Sequence, residues 1–148
     1  MQDILKVSKE VHCQRWLAEQ LRLRARGLYS VTREPAVVNE KKPDIVLRGR
    51  YGAFSLPIEV KVANGLTGKK LQEALIDQLI GRYMLDQSST HGVLVVFGKD
   101  RPRTAWELGG KRTKRIRQLA LLLDGVAAGH ARLERRGMGA RVLALDLG

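Results

Sequence analysis

Cysteine is almost missing from this chain, with Cys13 alone among 148 residues. One thiol excludes an internal disulfide framework and removes the cysteine clusters that structural zinc sites need. Histidine is as sparse: His12, His91 and His130 are scattered and read as structural side chains rather than a ligand set. No Gly-rich phosphate loop and no nucleophile elbow occurs. Long apolar runs are also lacking, since the longest candidate, residues 119–123, stops at Asp124, far short of the ~20 residues that cross a bilayer. The amino terminus has neither the basic segment nor the apolar core of a secretory signal. A soluble protein of the reducing cytoplasm is expected, with no membrane partner. Without repeats, low-complexity tracts or linkers, residues 1–148 read as a single domain large enough to bury a substantial core.

Acidic residues are in short supply against basic ones, 15 Asp and Glu to 27 Lys and Arg, giving a formal net charge of +12. Clustered cations are rewarded by phosphate neutralisation and counterion release, so a polyanion, nucleic acid first, is the expected partner. The densest basic run is Lys111, Arg112, Lys114, Arg115 and Arg117, preceded by Lys99, Arg101 and Arg103, with only Asp100 and Glu107 set against them. A solvated charged loop would have the same composition.

Apolar spacing lays out the elements. Leu5, Val11, Trp16, Leu17, Leu21 and Leu23 recur at mostly helical intervals and predict a first helix over 4–28, stopped by Gly27. A weakly alternating strand follows at 29–33. Thr67 is placed to cap a second helix over 68–87, with Leu71, Leu75 and Leu79 on its buried side. The run Val93-Leu94-Val95-Val96-Phe97 is the pattern of a strand covered on both faces. Residues 99–113 read as a charged loop, 113–136 as a third helix and 141–147 as a last strand, the final two strands parallel by a crossover. The fold class is α/β, a mixed sheet flanked by helices in the order αβββαβαβ.

Between the first strand and the second helix lies a hairpin. Arg50-Tyr51-Gly52-Ala53 is the tightest turn candidate, with Tyr51-Gly52 as its two-residue loop. That centre sets Asp44 opposite Glu59, and directly opposed side chains have Cβ atoms roughly 4.5–5.5 Å apart. Phe54, Leu56, Ile58, Val60 and Val62 then share one face with Leu47 and Ile45, while Glu59 and Lys61 share the other with Asp44. One face is expected to be core and the other chemistry. Pro57 cannot donate to a ladder and predicts an edge or a bulge near Glu59.

Pro43-Asp44, followed after residues 45–58 by Glu59-Val60-Lys61 inside a helix, hairpin, helix, strand order, resembles the PD-(D/E)xK nuclease superfamily, whose fold is restriction-endonuclease-like. The resemblance covers residues 19–83 well and the remainder in outline. It implies a metal-dependent nuclease that hydrolyses phosphodiester bonds, of DNA rather than RNA. Asp44, Glu59 and the Val60 carbonyl would hold Mg²⁺ or Mn²⁺, and Lys61 would orient the attacking water and offset transition-state charge. Glu19 resembles the helical acid that supports the metal, with Glu40 competing for that role, though Glu19 would equally serve as a surface carboxylate paired with Arg15 or Arg22. Gln78 resembles the glutamine of the RecB-type branch. The aromatic that should accompany it comes one position late, at Tyr83, with Arg82 in its place, so Tyr83 reads as core.

Lys41, Lys42, Arg48, Arg50, Lys69 and Lys70 flank the expected site and would grip the backbone beside the cut, with Lys111, Arg112, Lys114 and Arg115 further out. Without obvious room for a separate sequence-reading domain, the expectation is weak sequence selectivity, specificity for a DNA structure, or a larger assembly whose other domain or subunit supplies targeting. A homodimer would let two sites address two strands. The rival expectation is a catalytically silent nucleic-acid-binding domain of the same fold, and a plain Glu59–Lys61 salt bridge is the bland reading of that pair.

Overall fold

The computed structural model describes residues 2–33, 42–86, 89–130 and 137–148. Expectations about Glu40 and Lys41 lie outside the described residues, and the third helix, expected over 113–136, runs from Ile116 and ends at Ala128.

Helix α1 (Gln2–Leu23) is followed by an antiparallel meander of β1 (Tyr29–Arg33), β2 (Ile45–Gly49) and β3 (Ser55–Val62). A second helical stretch, α2, spans 68–86. Strand β4 (His91–Gly98) comes next, then a separate two-stranded sheet of β5 (Trp106–Leu108) and β6 (Lys111–Thr113), helix α3 (Ile116–Ala128) and strand β7 (Gly139–Asp146). The main sheet has the order β1-β2-β3-β4-β7, antiparallel from β1 to β3 and parallel from β3 to β7. This is a mixed α/β architecture with a five-stranded mixed sheet. No described helix is long and apolar enough to cross a membrane.

The hairpin register follows from its turn. Tyr51 and Gly52 both have positive φ, 58° and 72°, and the Ala53 N–H donates to the Arg50 carbonyl at 3.2 Å. That is the type I′ pattern whose twist suits an antiparallel pair. It sets Ile45 against Ile58 and Arg48 against Ser55. Pro57 causes no bulge: N–H groups of odd-numbered β3 residues face β4, and pairing with β4 begins only at Ile58. The proline therefore withholds a donor that the ladder does not use.

Both faces of the sheet are covered, the face expected to carry chemistry as well as the core face. Ile58, Val60, Val62, Val95 and Phe97 pack under α1 against Ala18, with Cys13, Leu17 and Leu21 joining them. On the opposite face Leu94 and Val96 pack under α2 and α3 against Leu71, Leu75, Leu79, Leu119 and Leu123. Glu59 of β3, in register with Leu94, lies on that second, covered face. The expected loop at 99–113 is also corrected, because it contains the β5–β6 hairpin, turned at Gly109-Gly110 where φ is 54° and 80°.

Candidate functional site

The site forms where β2 stops and β3 continues. Their ladder ends at Ile45 and Ile58, leaving the edge of β3 from Glu59 onward without a strand partner on that side. Carboxylates take over. Asp44, one residue before β2, accepts the Val60 N–H through Oδ2 at 2.8 Å, and Glu10 of α1 accepts the Val62 N–H through Oε1 at 3.4 Å. A strand residue sends its N–H and C=O to the same edge, so the Val60 carbonyl points to where Asp44 stands.

The register that sets Ile45 against Ile58 brings Asp44 beside Glu59, near enough for the Asp44 carboxyl to act on that of Glu59. Glu59 is only 4 % exposed, and its Oε2 is buried with no hydrogen-bond partner among the described residues. Burial, then repulsion from Asp44, pushes the Glu59 carboxyl from the ordinary carboxylate range up to about 10. Lys61 projects from the same face, its Nζ 3.9 Å from Glu59 Oε1. That is an ion pair too long to be a hydrogen bond. Lys61 thus offsets Glu59 only in part, and Glu10 adds further negative potential. The cluster is short of positive charge.

Two contributors escape the sequence reading. Glu10, not Glu19, is the acid of α1 that reaches this edge. Glu10 lies in line with the buried stripe of Cys13, Leu17 and Leu21, so a lone carboxylate on an apolar stripe was the available signal. Glu19 is exposed, about 13 Å further along the helix axis, and no described residue joins it to the cluster.

Tyr83 is the second. Within α2 an α-helical segment (Gly68–Glu73) runs into a π-helix (Ala74–Tyr83) and then one more α-turn (Met84–Asp86). The Met84 N–H donates to the Leu79 carbonyl, five residues back. In a π-helix residues five apart stack as residues four apart do in an α-helix, so Gln78 and Tyr83 share a face despite their spacing. Tyr83 is buried as expected, and what the sequence did not indicate is its proximity to the two acids. Burial and the nearby Glu59 and Asp44 charges all raise its phenol above the ordinary range. Gln78 is half-buried about one turn earlier.

Thr67 caps α2, accepting the Lys70 N–H at 3.1 Å, and Lys69 and Lys70 are exposed on its first turn. Lys42, Arg48 and Arg50 are exposed around the hairpin, the Arg50 guanidinium lying over the Tyr51 ring at 5.3 Å. Lys111, Arg112, Lys114 and Arg115 are exposed as well, on and just after the β5–β6 hairpin.

Could this edge hold a cation? Among the described residues no three His, Cys, Asp or Glu side chains are spaced as a metal-binding group. What is present is a pair of carboxylates, one with an unpartnered buried oxygen, beside a backbone carbonyl on an unpaired edge. Hard divalent cations take such oxygen donors and keep waters in their remaining positions. In type, though not as a three-residue grouping, these oxygens are donors of the kind that Mg²⁺ and Mn²⁺ take. Comparison with protein-family models, with curated proteins and with solved structures finds no match to this chain.

Proposed function

We propose that this protein is a divalent-metal-dependent nuclease of restriction-endonuclease-like fold that hydrolyses phosphodiester bonds in DNA, with its site at the edge of β3. The observation that carries the reading is the convergence of Asp44 and Glu59 on that edge, with Glu59 Oε2 buried and unpartnered. Two carboxylates held together in a protein of net charge +12 have no use in a surface that merely binds phosphate, because they repel it. They make sense around a cation.

Asp44, Glu59 and the Val60 carbonyl would hold Mg²⁺ or Mn²⁺, which when bound polarises a phosphoryl oxygen and acidifies a water. Asp44 has a second task, since its bond to the Val60 N–H fixes the carboxylate against the strand. Lys61 sits two residues beyond Glu59 on the same face with its amine loosely paired. It is placed to orient the attacking water and to balance the charge that grows on the phosphoryl oxygens. Tyr83 and the α2 helix close the covered side of the site and limit access of bulk water. Glu10 would accept from waters at the far end of the edge. Exposed cations on both sides, Lys69 and Lys70 on α2 and Arg48 and Arg50 on the hairpin, supply the phosphate grip.

The test is plasmid nicking with Mg²⁺ or Mn²⁺ and with EDTA, for wild type and Lys61→Ala. Metal-dependent nicking that Lys61→Ala loses is the expected result. Equal, absent cleavage by both proteins on every DNA form, with DNA binding retained, would instead assign the fold to a silent binding domain.

A further inference from the structure

Beyond the carboxylate site, the densest basic run is the segment from Lys99 to Arg117, between β4 and α3. It is not a loose loop. Trp106 is 1 % exposed and its indole N–H donates to the Ala63 carbonyl at 3.0 Å. Gly68 brings the start of α2 so close to the Glu107 carbonyl that a methyl group there would collide with it. Asp100 Oδ1 accepts the Ile116 N–H at 2.8 Å. Arg101, held at a φ of 61° that favours glycine, donates its N–H to the Lys114 carbonyl at 2.8 Å. The segment is therefore pinned at its base, its middle and its end, and what it pins is the short β5–β6 ribbon.

The anchor point matters. Ala63 follows directly on β3, and Trp106 and Leu108 pack in one cluster with Leu94 and Val96, the β4 residues in register with Glu59 and Lys61. The ribbon thus stands beside the C-terminal end of β3, on the face that carries Glu59 and Lys61. A cleft of about 560 Å³ separates the turn before α2 from the start of the ribbon, with Lys69 on one wall and Arg103 on the other. Lys111 and Arg112 are exposed on β6, and Lys114 and Arg115 follow it. Among the described residues none of these six cations forms an ion pair, although Glu107 lies opposite Arg112 in the ladder.

We infer that the β5–β6 ribbon is a groove-docking element for double-stranded DNA. It would enter the major groove tip first while Lys111, Arg112 and the cations of the cleft contact the flanking phosphates. This rests on the proposed nuclease reading only for the class of polymer. A two-stranded ribbon, with strands ~4.8 Å apart, fits the ~12 Å major groove of B-form DNA. It does not fit the deep, narrow major groove of duplex RNA. A single strand presents no groove, and no exposed aromatic lies on the ribbon to stack its bases.

The experiment is fluorescence-anisotropy binding in EDTA, so that cleavage does not enter. Wild type and Lys111→Ala/Arg112→Ala are titrated with one sequence as duplex DNA, single-stranded DNA and duplex RNA, over a salt series. Wild type is expected to prefer duplex DNA roughly tenfold or more. The double variant should lose most of that preference and show a salt slope shallower by about 2, one for each lost phosphate contact. Unchanged duplex affinity and slope in the variant, or wild-type binding of single strands or duplex RNA as tight as duplex DNA, would overturn the inference. A protein that nicks plasmid yet gives either of those results loses the ribbon and keeps its nuclease site.

Discussion

The edge of β3 and the β5–β6 ribbon, which is anchored on the residue just after that strand, are opposites. At the edge, Asp44 and Glu59 are crowded together, Glu59 is buried, and Lys61 balances only part of their charge. On the ribbon the charges are positive and exposed, and they need no partner for the fold to stand. Desolvation makes the first region intolerant of its own charge and leaves the second indifferent to it. The acidic edge is therefore the part of the molecule that a bound cation would stabilise, while the ribbon would respond to a polyanion and to salt.

The largest expected effect lies in catalysis. Lys61→Ala removes the amine on the substrate side of Glu59 and is expected to lower the cleavage rate by about 10²–10³, read as initial nicking velocity at saturating Mn²⁺. The same substitution should leave duplex binding in EDTA within a factor of about two, which keeps the two regions separable.

Stability distinguishes them next. In the metal-free protein the folded Glu59 holds its proton up to about pH 10, from an ordinary value of 4.5. Between those values the unfolded chain has released a proton that the folded chain retains, so stability falls as pH rises through the window. Glu59→Gln removes the proton linkage. It should stabilise the metal-free protein by about 1–3 kcal/mol near neutral pH and flatten the pH dependence of urea unfolding. Alanine in place of Lys111 should do neither.

A smaller effect separates the two acids of α1. Glu10→Gln is expected to weaken Mn²⁺ affinity by roughly tenfold, as loss of an outer-shell carboxylate does, while Glu19→Gln should leave it unchanged. Equal effects from both would break the assignment of the edge. Smallest is Trp106→Phe, which leaves the Ala63 carbonyl without its donor and should cost about 1 kcal/mol in thermal unfolding without altering metal affinity.

The sequence made the meander legible because three local signals agree there. The Tyr51-Gly52 turn, the alternation of Ile58, Val60 and Val62, and the position of Asp44 all demand one register. Covering of the second face was not legible, since Glu59 and Lys61 alternate with apolar residues just as they would on an open strand. Their burial comes from α2, a contact distant in sequence. Tyr83 is buried, as its reading as core requires, and the π-helix that brings it onto the face of Gln78 has no residue signature of its own. The ribbon hid behind the prolines and glycines of a charged stretch, where only Trp106, an aromatic among cations, marked a buried anchor.

The measurement that bears most directly on the central claim is calorimetric titration of Mn²⁺ into wild type and Asp44→Asn. The account predicts saturable binding to wild type that the variant loses, although the variant remains folded. Absence of binding in both proteins, or equal binding in both, would contradict it.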